Sequence, residues 1–193
     1  MVNLFQDKST CLEYKRKLEM DKYKSANRIK EYILFKFFKY HCKSDSDYNG
    51  TENITIFEKL SDTEKFRYYE NSNLNKHEIP VIIYKISYDY WIIHSTENLI
   101  KFENNSQIKI PYSEIDYITG FDFKNKENQN LVEQNGKKMI IQKAEGYILK
   151  FGIRLKNKQI IHWMIPTGYF GYSLWNFTND LDYIKKFKIQ EYS

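Results

Sequence analysis

A chain of 193 residues that is 41 % hydrophobic, with 17 Tyr and 13 Phe, can bury a substantial core without disulfides or a structural metal. A charged fraction of 28 % and a mean hydropathy of −0.69 exclude a bundle of membrane helices. No stretch approaches the roughly 20 apolar residues of one span. The net charge of +5 is mildly basic. Nucleic-acid binders gather such charge on one face, so its distribution matters more than its sum.

That distribution is uneven. From Lys8 to Lys43 there are eleven basic residues against four acidic, a net of +7, and from Ser44 to Asn75 three against seven, a net of −4. Attraction between these neighbouring segments is the simplest use of the asymmetry. Cys11 and Cys42 lack metal-type spacing and would stand at opposite ends of one helix, which points to a reducing compartment. The start of the chain lacks the basic residues and apolar run of a signal peptide, so a cytoplasmic location is expected.

Residues 9–41 read as one long basic helix within a helical region spanning 1–75. Ser9 or Thr10 can cap it, and Glu13 completes a capping box with Thr10. Cys11, Tyr14, Leu18, Ala26, Ile29, Ile33, Phe37 and Tyr40 recur at three and four, and the apolar face broadens over Tyr32 to Phe38. A stripe that widens predicts a buried C-terminal half and an N-terminal half that projects or meets a partner, including a second copy of the chain. The polar stretch 44–53 is a loop. Ser61 and Glu64 form a second capping box, opening a helix over about 62–71 with Phe66, Tyr69 and Tyr68 directed inward.

Strand signals then take over, in a second region spanning 76–193. Pro80 to Ile86, Tyr88 to His94 and Asn98 to Phe102 are rich in β-branched and aromatic residues, Asn104-Asn105 turns, and Gln107 to Ile110 alternates. Tyr112 to Ile118 and Lys138 to Gln142 are weaker strands, and Asn125 to Gly136 reads as a mobile loop. Gly146 to Leu155 and Gln159 to Ile165 form a hairpin around Lys156-Asn157-Lys158. Beyond Gly168, Leu174, Phe177, Leu181 and Ile184 make one helical stripe, predicting a helix over about 169–188. The class is α+β: a helical N-terminal region, then an antiparallel sheet or barrel capped by a C-terminal helix.

The step from Trp91-Ile-Ile-His-Ser-Thr96 to Asn98-Leu-Ile-Lys-Phe102 resembles the pleckstrin-homology-like superfold in its bacterial and GRAM-type versions. Ile108-Lys-Ile-Pro-Tyr-Ser-Glu-Ile115 is similar to that superfold's apolar strand followed by a Ser-Glu-Ile corner, and the helix from about Phe170 is similar to its capping helix. The resemblance implies a small barrel-like sheet closed by that helix. Membrane-targeting members hold phosphoinositide headgroups with Lys and Arg around the first strand-to-strand loop. Here the corresponding turn, Ile86 to Tyr90, has only Lys85 before it and carries Asp89 within it.

Chemical motifs are absent. The four histidines are scattered, no HExxH or CxxC occurs, and seven glycines form no phosphate-cradling loop, so neither metal nor cofactor is expected. His94, Ser95 and Thr96 are adjacent but lack a nucleophile elbow. Trp163 and His162 point to opposite faces of their strand, so one of the two is expected to be buried. Most aromatics belong to a core. Tyr169, Phe170, Tyr172 and Trp175, at glycine-flanked positions where the chain turns, are candidate contact residues, with Phe35 and Phe38 on the long helix. The reading is a non-catalytic cytoplasmic module that binds another protein, an inhibitor or immunity-type protein being one version. Two alternatives stand beside it: a lipid- or nucleic-acid-surface binder using the basic helix, and an enzyme with an unrecognised site.

Overall fold

The computed structural model describes residues 23–41, 50–120, 129–134, 137–142, 147–181, 184 and 188–189. The expectations for 9–22, both cysteines and most of the polar loop lie outside them. In chain order the elements are β1 (Tyr23–Lys24), α1 (Ala26–His41), β2 (Ile54–Ile56), α2 (Asp62–Ser72), β3 (Pro80–Lys85), β4 (Tyr90–Ser95), β5 (Asn98–Glu103) and β6 (Ser106–Pro111). There follow β7 (Ile115–Gly120), β8 (Gln129–Gln134), β9 (Lys137–Gln142), β10 (Tyr147–Leu155), β11 (Ile160–Pro166), α3 (Tyr169–Asp180) and β12 (Lys188–Ile189). The class is α+β, with a helix before the sheets and a helix after them.

Strands β2-β3-β4-β5-β6 form one antiparallel sheet in chain order, and β11-β10-β7 form a second. The β5–β6 turn uses Asn104 and Asn105, both at positive φ (50° and 61°), as a two-residue hairpin of right-handed twist requires. The five-stranded sheet is covered on both faces. Ile82, Tyr84, Ile92 and Leu99 face the main core, shared with α1, α3 and the inner face of the second sheet (Ile118, Phe151, Ile153, Ile165). Ile83, Trp91, Ile93, Ile100 and Phe102 face the opposite way and pack with Phe57 and Tyr68. Double coverage explains why β3 to β5 are continuous apolar runs rather than alternating ones.

Helix α2 begins at the predicted capping box: the Ser61 hydroxyl accepts from the Glu64 N–H while the Glu64 carboxylate accepts from the Ser61 N–H. Its inward residue is Tyr68, set edge-on to Trp91 at 5.1 Å. Phe66 and Tyr69, expected inward, are 66 % and 49 % exposed. Successive helical positions point about 100° apart, so three neighbouring aromatics cannot all face one sheet.

Four further boundaries differ from expectation. Of the helix expected over 9–41, Tyr23–Lys24 is instead a strand paired in parallel with Lys188–Ile189, and α1 starts at Ala26 with the Ser25 hydroxyl accepting from the Arg28 N–H. Residues 129–134 of the expected loop form a strand hydrogen-bonded to β9. Tyr112–Glu114 is a 3₁₀ turn, and the strand after it begins at Ile115. Helix α3 stops at Asp180, although Leu181 and Ile184 continue its buried stripe beyond that point.

The long-range charge asymmetry has a local counterpart in the ion pair between Lys30 of α1 and Glu58, beside β2. Helix α1 packs through Ile29, Tyr32, Ile33, Phe37 and Phe38 into the main core.

Candidate functional site

Helix α3 is clamped to both sheets, and this clamp fixes the surface its first turn presents. Gly168 takes φ 70°, ψ −143°, a backbone region open to glycine alone, which turns the chain from β11 into α3. A Cβ on Gly171 would lie 2.8 Å from the Pro166 carbonyl, so the helix start lies tight against the strand end. On the buried side, the Tyr84 and Ser173 hydroxyls meet at 3.0 Å. Asn179 grips β7: its Oδ1 accepts from the Ile118 N–H at 2.9 Å and its Nδ2 donates to the Ile118 carbonyl at 3.3 Å. Trp175 Nε1 donates to the same carbonyl at 3.2 Å. Because β7 is the outer strand of its sheet, Asn179 serves it as a substitute for a neighbouring strand. Asn179→Ala is expected to cost about 2 kcal/mol in urea unfolding, since it strips two bonds from a partly buried backbone unit.

His94 completes the clamp. Its Nδ1 lies 2.8 Å from the Tyr112 hydroxyl and its Nε2 3.2 Å from Thr178 Oγ1. The Thr178 hydroxyl donates its one proton to the Leu174 carbonyl at 2.6 Å. Nε2 must then carry the imidazole proton and donate to Thr178, while Nδ1 accepts from Tyr112. Full burial holds the His94 pKa down at about 3, and burial likewise pushes the Tyr112 phenol well up, so both are neutral. The pair links β4, the 3₁₀ turn and α3 as neutral hydrogen-bonding groups.

The outward side of this junction is aromatic. Tyr169 and Tyr172 are 54 % and 51 % exposed. The Tyr169 hydroxyl is hydrogen-bonded to His41 Nδ1 across the two helices. Tyr172 lies 6.5 Å from the Tyr40 ring and 6.0 Å from the Trp175 ring, centroid to centroid. Tyr40 is half-buried, and burial first, then the neighbouring tyrosines and Asp180, raise its pKa above the ordinary phenol value. Lys36 and Asp180 form an ion pair at 3.8 Å on the rim.

Of the six candidate residues, the structure brings Tyr169, Tyr172 and Trp175 together on this surface. Phe38 and Phe170 are buried in the main core, Phe170 edge-on to Tyr84 at 5.4 Å. Phe35 is half-buried on α1. Tyr40 and His41 join the surface without having been singled out for it. The signal available was the end of the α1 stripe at Tyr40, which the fold lays beside the glycine-flanked turn.

No protein-family model, no curated protein and no solved structure matches this chain. Among the described residues, no three His, Cys, Asp or Glu side chains are grouped so as to hold a metal ion, and no helix is long and apolar enough to cross a membrane. Among the described residues, two charged side chains, Glu78 and Lys101, are buried, and both are engaged. Glu78 binds Ser95, Asn98, Asn75 and Lys109. Lys101 pairs with Glu103 at 2.7 Å and lies 5.5 Å from the Tyr90 ring centre. Of the strand pair His162-Trp163, Trp163 is the buried member.

Proposed function

We propose that this chain is a non-catalytic module that binds another protein through the aromatic surface at the α1–α3 junction. The observation that carries the reading is the convergence of Tyr40, His41, Tyr169, Tyr172 and Trp175, drawn from two helices, on one exposed face. Tyr and Trp offer large, stiff contact area at small entropic cost and dominate the centres of protein interfaces. The interlocked rings and the rigid clamp beneath them preorganise that area, which lowers the cost of association.

The pleckstrin-homology-like resemblance belongs to the same proposal. Its support is the order of elements: a four-stranded meander β3 to β6, a three-stranded meander β7, β10 and β11, then a helix packed across both. The strand β2 and the hairpin β8–β9 are additions to that plan.

The test is retention of partners by the tagged protein at moderate and high salt, wild type against the Tyr169→Ala/Tyr172→Ala double variant. Both side chains are more than half exposed, so thermal stability is expected to change by less than about 1 kcal/mol. The expected result is a stoichiometric protein that survives high salt on wild type and is weakened at least tenfold by the double change. Equal retention by both proteins sinks the surface. Loss of all bound material at high salt moves the reading to a polyanion partner.

A further inference from the structure

On the far side of the five-stranded sheet, Arg67 of α2 carries an unusual pair of donors. Its guanidinium carbon lies 4.7 Å from the ring centre of Tyr68 and 4.5 Å from that of Tyr88. Tyr68 is buried, whereas Tyr88, at the tip of the β3–β4 hairpin, is 68 % exposed. The Nε and Nη2 atoms of Arg67 are shielded from solvent and have no hydrogen-bond partner. These two atoms form the side edge of the guanidinium, whose N–H bonds run parallel and match the two oxygens of a carboxylate. The nearest helical acid on the N-terminal side, Glu64, is committed to the helix cap with Ser61.

We propose that the Arg67 edge is a receptor for a carboxylate, admitted when the Tyr88 ring moves aside. The donors without a partner are Nε and Nη2, so a ligand meets the cation at that edge, in the plane of the guanidinium. A planar carboxylate fits that approach with two parallel hydrogen bonds, and its single charge matches the one cation. Charged donors withdrawn from water are costly unless paired, so an incoming carboxylate regains what burial has taken. Tyr88 stands on a hairpin tip with its ring largely in solvent, which lets it move without disturbing the sheet. The exposed Phe66, adjacent on α2, offers apolar contact to whatever carries the acid. The site lies on a different element from the α1–α3 surface and does not depend on it.

The carboxylate could belong to a small acid or to a side chain of a polypeptide, and the experiment separates the two. The Arg67 Nε–H resonance of the whole protein is followed while benzoate, the capped peptide acetyl-Gly-Glu-Gly-amide, or inorganic phosphate is added. A saturable downfield shift with benzoate or with the peptide is the expected result, accompanied by shifts of the Tyr88 backbone amide that Arg67→Lys abolishes. The tighter of the two names the source. Tyr88→Ala, an exposed change that leaves the core intact, removes the ring that has to move aside and is expected to tighten binding about fivefold. No saturable shift with either carboxylate overturns the proposal, as does tighter binding of phosphate or a shift that Tyr88→Ala leaves unchanged.

Discussion

Between pH 6.5 and pH 5 the fold is expected to lose about 2 kcal/mol of stability through His94 alone. In the folded protein this imidazole is fully buried and its pKa is lowered from 6.5 to about 3. The unfolded chain therefore binds a proton at His94 as the pH falls below 6.5, while the folded chain does not. Each pH unit in that interval draws the equilibrium toward the unfolded state by about 1.4 kcal/mol. The contribution is complete above pH 6.5 and vanishes as the pH approaches 3. Carboxylates titrate lower, so the interval above pH 5 sets the histidines apart, and the His94 variant singles out this one. Urea midpoints at pH 7 and pH 5 measure the effect. His94→Gln, which retains a donor and an acceptor, is expected to be less stable at both values but nearly flat between them. Proton resonances of the native His94 ring are expected to stay in the neutral form throughout that interval. Titration of the native ring near pH 6.5 would contradict the tautomer assigned from Thr178 and Tyr112.

Local chemistry in the sequence was a good guide where the decisive contacts are local. The Ser61–Glu64 box caps α2 within one turn, and Asn104-Asn105 makes its turn with its own backbone angles. Leu174, Phe177, Leu181 and Ile184 are all buried, as their spacing implied, even though the regular helix ends first. Misreadings arose where distant chain decides. The start of α1 is set by a pairing of Tyr23–Lys24 with the far end of the chain, which no local pattern announces. Phe66 and Tyr69 are as apolar as a core position demands, yet the sheet beneath α2 buries only Tyr68 of the three, edge-on to Trp91, while Tyr69 lies against Phe57 at 5.1 Å and stays half exposed. The aromatic surface was half legible. Tyr169 and Tyr172 stand out beside glycines, but their partners Tyr40 and His41 come from an earlier helix that only the tertiary packing delivers. Arg67 carried no signal, because nothing in its neighbours along the chain predicts that Tyr88 will arrive over it.

Glu78→Ala is expected to cost about 3–5 kcal/mol, the loss usual when one member of a buried charged network is removed. Glu78 is the buried acid between α2 and β3, and both of its oxygens are taken. Oε1 accepts from the Ser95 hydroxyl and from Asn98 Nδ2, the latter at 2.7 Å. Oε2 accepts from the Asn75 N–H at 3.0 Å and pairs with Lys109 at 2.7 Å. The carboxylate thus ties the α2–β3 connection to the β4–β5 turn and to β6. Alanine leaves the buried Ser95 hydroxyl and Asn98 Nδ2 without the acceptor they share. Glutamine preserves the shape but must turn its own N–H₂ toward one pair of donors, so Glu78→Gln is expected to cost about 2 kcal/mol. Lys109 is partly exposed and also donates to the Asn73 carbonyl at 3.1 Å, so Lys109→Met is expected to cost only about 1 kcal/mol. The order Ala, then Gln, then the lysine change separates a hydrogen-bonding role from a Coulombic one. If the pairing with Lys109 dominated, Lys109→Met and Glu78→Gln would cost the same and a double variant would cost no more than either. Urea unfolding of the three single variants and that double variant decides between the two.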